Sequence, residues 1–290
     1  MTFPALQNGS LTGDYRATLG ESPVWCTRSE SVIWMDIAEQ RMLRCWPDQA
    51  DRMEIRDLPF ICSAALLTED PERFLLVTQQ GVMLYDYLHE TFQVLCNWPE
   101  TPATRPNEAA VAPDGSLWFS TMDITARKAL GSWYRFAAGD KQPVKMLGGQ
   151  HVPNTLVWHD NHAWFGDTFA HRFYRSPARR ISAERLTSWP LGDAVFADGS
   201  ALTRCAKLIN ARWGASCLAV YQLSGSGPEL LTTLPLPVLQ PSSCAFGGKN
   251  LQDLYITSAR DGLKNPSAAQ GALLRYQTPY SGQRATLFTL

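Results

Sequence analysis

A chain of 290 residues with 45% hydrophobic and 11% aromatic residues can bury a large core without covalent help. Charged residues make up 18%, the formal net charge is −1 and no basic run occurs, so nothing points to nucleic acid or another polyanion as a partner. No apolar run approaches a membrane span, and the seven cysteines include no CxxC pair, which reads as free thiols of a reducing compartment.

The first residues, MTFPALQNGSLTGDY, lack a charged stretch followed by an apolar one, so no secretory signal is read there and a cytoplasmic location is expected. From Glu21 onward one pattern recurs: a polar or small residue, a few small apolar residues, a turn, then a β-rich run. Copies begin at Glu21 (ESPVWCTRSESVIWMDI), Ala64 (AALLTEDPERFLLVTQ), Asn107 (NEAAVAPDGSLWFSTM), Asn154 (NTLVWHDNHAWFGDT), Asp198 (DGSALTRCAKLINARW) and Ser243 (SCAFGGKNLQDLYITSA). The steps are 43, 43, 47, 44 and 45 residues, the size of a four-stranded propeller blade. The expectation is one all-β domain over 1–290, a six-bladed β-propeller with a central metal-binding channel.

Strand runs SVIWMDI, RFLLVTQ, GVMLYDY, SLWFSTM, HAWFGDT, LYITSA and ALLRYQT are rich in β-branched and aromatic residues and bounded by turn formers. Pro113-Asp114-Gly115 and His159-Asp160-Asn161 predict hairpin turns. Prolines 99, 102, 106, 153, 235, 237 and 241 are expected in connections between repeats, where no ladder N–H is needed. The basic segment from Ala178 to Arg185 reads as a loop. The C-terminal GALLRYQTPYSGQRATLFTL and the N-terminal GDYRATLGE are expected to share a blade and close the ring.

The innermost strands of a propeller line its axis, so equivalent positions in successive blades ring one mouth of the channel. Glu21, Asn107, Asn154 and Asp198 fall there, two carboxylates and two amide oxygens without histidine or cysteine. Such a set suits one hard divalent cation, Ca²⁺, Mg²⁺ or Mn²⁺, with Zn²⁺ or Fe²⁺ as further options. Arg105, two residues before Asn107, would orient an oxygen-rich ligand. A lone Asn or Asp before a strand more often just caps a turn. Recurrence at one place in each repeat is what favours the cation. Cys26, Cys62, Cys205 and Cys244 lie in strand runs and read as buried apolar residues. His159 and His162 flank a turn, and His171 reads as a packing residue.

These residues together resemble the SMP-30/gluconolactonase (regucalcin) family, through LGESPVW, RPNEAAVAPDGSLWFSTM, PNTLVW, GDTFAHRFYR, DGSAL, NARWG and PSSCAFGG…LYITSA. The resemblance implies a metal-dependent lactonase that opens a sugar lactone to its aldonic acid. It puts Glu21, Asn154 and Asp198 on the metal, Asp198 also as base for the attacking water, and Arg105 and Asn107 on the substrate. Two departures stand out. Asn107-Glu108-Ala109 replaces the family's frequent Asn-Asp-Gly, and Asp123 is the available acid where some members contact sugar hydroxyls. The alternative is a cation-binding regulatory propeller without turnover. A protein scaffold is disfavoured by the polar, acidic ring. A small-molecule sugar lactone is the expected partner, with no obligate protein partner.

Overall fold

A computed structural model describes residues 5–97 and 102–290. Pro99 lies outside them. Each predicted strand run is a strand, because its alternating side chains have apolar partners on both sides of its sheet. The strands are β1 (Gln7–Thr12), β2 (Gly20–Cys26), β3 (Ser31–Asp36), β4 (Arg41–Trp46), β5 (Arg52–Asp57), β6 (Cys62–Leu67), β7 (Arg73–Thr78) and β8 (Gly81–Asp86). There follow β9 (Thr91–Cys96), β10 (Thr104–Val111), β11 (Leu117–Asp123), β12 (Gly131–Phe136), β13 (Val144–Gln150), β14 (Pro153–His159), β15 (His162–Asp167) and β16 (Arg172–Pro177). The last are β17 (Thr187–Pro190), β18 (Ala197–Leu202), β19 (Lys207–Arg212), β20 (Cys217–Ser224), β21 (Gly227–Pro235), β22 (Gln240–Gly247), β23 (Asp253–Ala259) and β24 (Leu273–Gln277).

They form six four-stranded antiparallel sheets, the blades of an all-β six-bladed β-propeller fold. Five are meanders of consecutive strands, and the sixth has the order β1-β24-β23-β22. The N-terminal strand therefore completes the last blade, as closure from both termini predicts. The pairing segment is Gln7–Thr12, just ahead of GDYRATLGE, which contributes instead the Leu19–Ala259 bridge.

By its contacts the chain divides into two compact units: Met1–Leu58 with Phe196–Arg284, and Pro59–Val195 with Ala285–Leu290. The first holds the blades led by β2, β18 and β22, the second those led by β6, β10 and β14. In the first, β22 packs beside β2 and β18; in the second, β10 packs beside β6 and β14. Each unit has its own apolar core. Trp34, Leu43, Ile209, Val220, Tyr255 and Leu274 are buried in the first; Val77, Phe119, Trp118, Trp133, Phe165 and Phe288 in the second. Full burial of each aliphatic side chain contributes on the order of 1.5–3 kcal/mol. Phe288 anchors the C-terminal tail beside β6 through its N–H to the Leu67 carbonyl and a stack on Phe136.

Several expectations are corrected. Pro106, Pro153, Pro235 and Pro241 lie inside β10, β14, β21 and β22, not in connections. Each of these strands pairs on one side only, so the missing N–H leaves no ladder gap. Cys205 is exposed, in the turn between β18 and β19, while Cys26, Cys62 and Cys244 are buried as expected. The 178–185 segment is a loop ending in a 3₁₀ turn, Ala183–Arg185. Among the described residues no helix is long and apolar enough to cross a membrane.

Candidate active site

Every innermost strand breaks register at the same point. The shifts fall between Glu21 and Val24, Cys62 and Ala64, Pro106 and Ala109, Asn154 and Leu156, Ala197 and Ser200, and Pro241 and Ser243. A bulge of this kind adds a residue, bends the strand and re-aims a side chain. Glu21 and Asn154 are the last paired residues before the break, whereas Ser63, Asn107, Asp198 and Ser242 are the first residues after it, so these six polar residues all border the break. The repeat starts at Ala64 and Ser243 are the residues at which pairing resumes.

The bulges hold backbone in unusual conformations. Ser22 and Thr155, directly after Glu21 and Asn154, have φ of 49° and 52°. For a β-branched residue such as Thr155 this is a true outlier costing about 1–3 kcal/mol. Carbonyls and N–H groups freed by the bulges find side-chain partners, as buried backbone polar groups must. Ser120 Oγ accepts from the Glu108 N–H (3.0 Å), and Asn210 Nδ2 donates to the Asp198 carbonyl (2.6 Å) and to Ser200 Oγ (2.9 Å).

In the second unit three of the anticipated residues join one directed chain. Arg105 Nη1 donates to Asn107 Oδ1 (2.9 Å), Asn107 Nδ2 donates to the Pro153 carbonyl and to Asn154 Oδ1 (both 3.0 Å), and Asn154 Nδ2 donates to Thr168 Oγ1 (2.9 Å). The direction is forced at both ends of Asn107. A guanidinium only donates and a carbonyl only accepts, so the Asn107 amide has a single workable orientation. It follows that Asn154 presents its oxygen towards Asn107. Asn154 is 6% exposed and Thr155 fully buried.

Glu108, the second bulge residue, reaches the same strand. Its carboxylate accepts from the Ala109 N–H (3.0 Å) and from the Thr155 N–H. Burial pushes this carboxyl up to about 7, against the opposing pull of those two N–H groups.

In the first unit Asp198 is 5% exposed, and its Oδ1 accepts from the Gly199 N–H (3.0 Å). Glu21 is half-buried, its Oε2 3.4 Å from the Ser22 nitrogen. Gly199 is required by packing: a Cβ there would lie 2.2 Å from Ser243 Oγ.

Asp123 does not join the chain of Arg105, Asn107 and Asn154. Its carboxylate accepts from Thr125 Oγ1 (2.8 Å) and from the N–H groups of Thr125 (3.3 Å), Arg127 (3.0 Å) and Lys128 (2.8 Å). Burial works to raise its pKa, but these donors outweigh it and hold the carboxyl below the usual range. Asp123 therefore shapes the loop after β11.

Two further aspartates escaped the sequence reading. Asp36 accepts from the N–H groups of Thr18 (2.8 Å) and Leu19 (3.0 Å), and Asp167 from those of His151 (2.8 Å) and Val152 (3.1 Å). Both are buried, and each ties down the segment feeding the strand that bears Glu21 or Asn154. Their signal was an aspartate closing the second strand of a repeat, in MDI and GDT.

Among the described residues no three His, Cys, Asp or Glu side chains cluster for a metal. The fixed Asn154 oxygen and the carboxylates of Glu21 and Asp198 are hard donors of the type that Ca²⁺, Mg²⁺ and Mn²⁺ take.

The chain resembles known proteins along most of its length. It is 29% identical over 297 residues to L-arabinolactonase of Azospirillum brasilense, covering 96% of this chain and 95% of that protein. It is 29% identical over 252 residues to 6-deoxy-6-sulfogluconolactonase of Pseudomonas putida, covering 84% of each. The crystal structure of a calcium-binding protein, regucalcin, from Agrobacterium tumefaciens superposes with a TM-score of 0.87 at 24% identity, covering 99% of this chain and 98% of that one. The model of the SMP-30/Gluconolactonase/LRE-like region matches residues 19–260, and the chain belongs to that family.

Proposed function

We propose that this protein hydrolyses a small sugar lactone to its aldonic acid with one divalent cation held by Glu21, Asn154 and Asp198. Family membership and relatives named as lactonases support the lactone substrate. The observation that carries the reading is the directed chain from Arg105 through Asn107 to Asn154, which fixes one amide oxygen beside a guanidinium at the repeated bulge.

A bound divalent cation supplies Lewis-acid polarisation of the lactone carbonyl. Asp198 takes a proton from water as the water oxygen bonds to the carbonyl carbon. The ring C–O bond then breaks, and Asp198 returns the proton to the departing alkoxide. The product is a hydroxy acid, which releases one proton to solution near neutral pH. Arg105 and Asn107 orient the sugar oxygens, and Glu21 balances the charge of the cation. Asp123 supports the loop flanking this end of β11. Seven cysteines that form no disulfide fit a cytoplasmic enzyme.

The test is pH-indicator hydrolysis of gluconolactone, galactonolactone, xylonolactone, arabinolactone and rhamnonolactone. Chelator-stripped protein is resupplied in turn with Ca²⁺, Mg²⁺, Mn²⁺, Zn²⁺ or Fe²⁺, with Asp198→Asn in parallel. Metal-restored hydrolysis that vanishes in the variant is expected. A bound metal with silence across the panel selects the cation-binding alternative without turnover.

A further inference from the structure

The bulge on β14 leaves Thr155 out of the ladder, buried and in the left-handed region. Its neighbour Asn154 is held on both sides by β10. On one side the Asn107 amide grips the Pro153 carbonyl and Asn154 Oδ1. On the other, the Glu108 carboxylate accepts the Thr155 N–H. We propose that Glu108 is a positioning residue: by spanning from one blade to the next it closes a two-point clasp that aims the Asn154 oxygen. This rests on the reading of Asn154 as a metal ligand.

Chain length is the physical reason for a glutamate here. The carboxylate starts from a bulge on one strand and must reach an N–H on the adjacent innermost strand while also accepting from Ala109. Aspartate keeps the charge and gives up a methylene of reach. Glutamine keeps the reach and one acceptor oxygen, and gives up the charge. Charge and reach are thereby separable. The strained φ at Thr155 makes the clasp necessary, since without an acceptor the buried N–H favours relaxation of the bulge and rotation of the preceding residue.

The experiment compares wild type with Glu108→Ala, Glu108→Asp and Glu108→Gln by calorimetric titration of the metal-free proteins with Mn²⁺. A positioning role predicts that affinity falls roughly 10- to 100-fold in the alanine and aspartate variants, with glutamine in between. A pure charge effect gives the other order, aspartate near wild type and glutamine as weak as alanine, and overturns the proposal. Equal affinity in all four also overturns it. A second readout needs no metal: amide exchange at Thr155 should be about tenfold faster in Glu108→Asp than in wild type. Unchanged Thr155 exchange overturns the clasp even if the alanine variant fails to fold. Failure of the wild type to bind any cation would instead strike the metal-site reading and leave the exchange result to decide the clasp.

Discussion

Replacing Gly199 by alanine tests whether Asp198 is held by the close approach of β18 and β22. The added Cβ would lie 2.2 Å from Ser243 Oγ, 2.5 Å from Ser243 Cβ and 2.9 Å from Ser243 Cα. The hydroxyl can rotate away, but Cβ and Cα move only if β22 moves, by something on the order of 1 Å. Overpacking of this kind costs about 1–3 kcal/mol, and a backbone obstacle places it at the upper end. Losing a glycine stabilises by about 0.4–1 kcal/mol through the unfolded chain. The net loss is then about 2 kcal/mol, a fall in Tm of roughly 4–8 °C. Differential scanning calorimetry of the metal-free protein reads this directly. Lactone kinetics should show kcat reduced more than KM is raised, because Asp198 is displaced. Adding Ser243→Gly removes the two nearest atoms and should restore part of both. An unchanged Tm and kcat in Gly199→Ala would refute the argument.

Asp198→Asn should lower kcat/KM by at least about 100-fold with the circular dichroism of wild type, since proton transfer alone contributes that much, and Glu21→Gln should lower it through weaker binding of the cation whose charge Glu21 balances. Asn107→Asp puts carboxylate oxygen against the Pro153 carbonyl and Asn154 Oδ1, and should destabilise by about 1–3 kcal/mol in urea titrations. Glu108 keeps its proton to about pH 7 when folded but loses it near its ordinary value of 4.5 when unfolded. The folded state thus binds more protons between these values, and the metal-free protein loses stability as pH rises from about 4.5 to about 7, by up to about 3 kcal/mol. Glu108→Gln should remove that component from the urea midpoint measured against pH. Chelation should lower the Tm of wild type, by the equivalent of about 2.7 kcal/mol relative to a metal concentration of 100 Kd.

The six-blade architecture was legible because a blade is a local unit whose turns and apolar alternation repeat in the sequence. The polar positions at Glu21, Asn107, Asn154 and Asp198 were legible for the same reason. That Ser63 and Ser242 also border a break in pairing was not legible, because a bulge is a mismatch in count between paired strands and leaves no mark on a single strand. The buried aspartates Asp36 and Asp167 were not singled out, because their carboxylates accept from backbone N–H groups distant in sequence. Glu108 looked like a departure from a motif. Its contact with Thr155 depends on which strands are neighbours and which residue the bulge frees. The four donors that Asp123 accepts from lie in the loop that follows it, a geometry that composition does not disclose.

The most direct test of the central claim is the stoichiometry of Mn²⁺ and Ca²⁺ binding to wild type, Asn154→Leu and Asp198→Asn, measured beside lactone hydrolysis in the same samples. The account predicts one ion per wild-type chain, a severe loss of affinity in both variants, and hydrolysis that tracks occupancy. Hydrolysis that persists in fully stripped wild type, or one tightly bound ion retained by both variants, would contradict it.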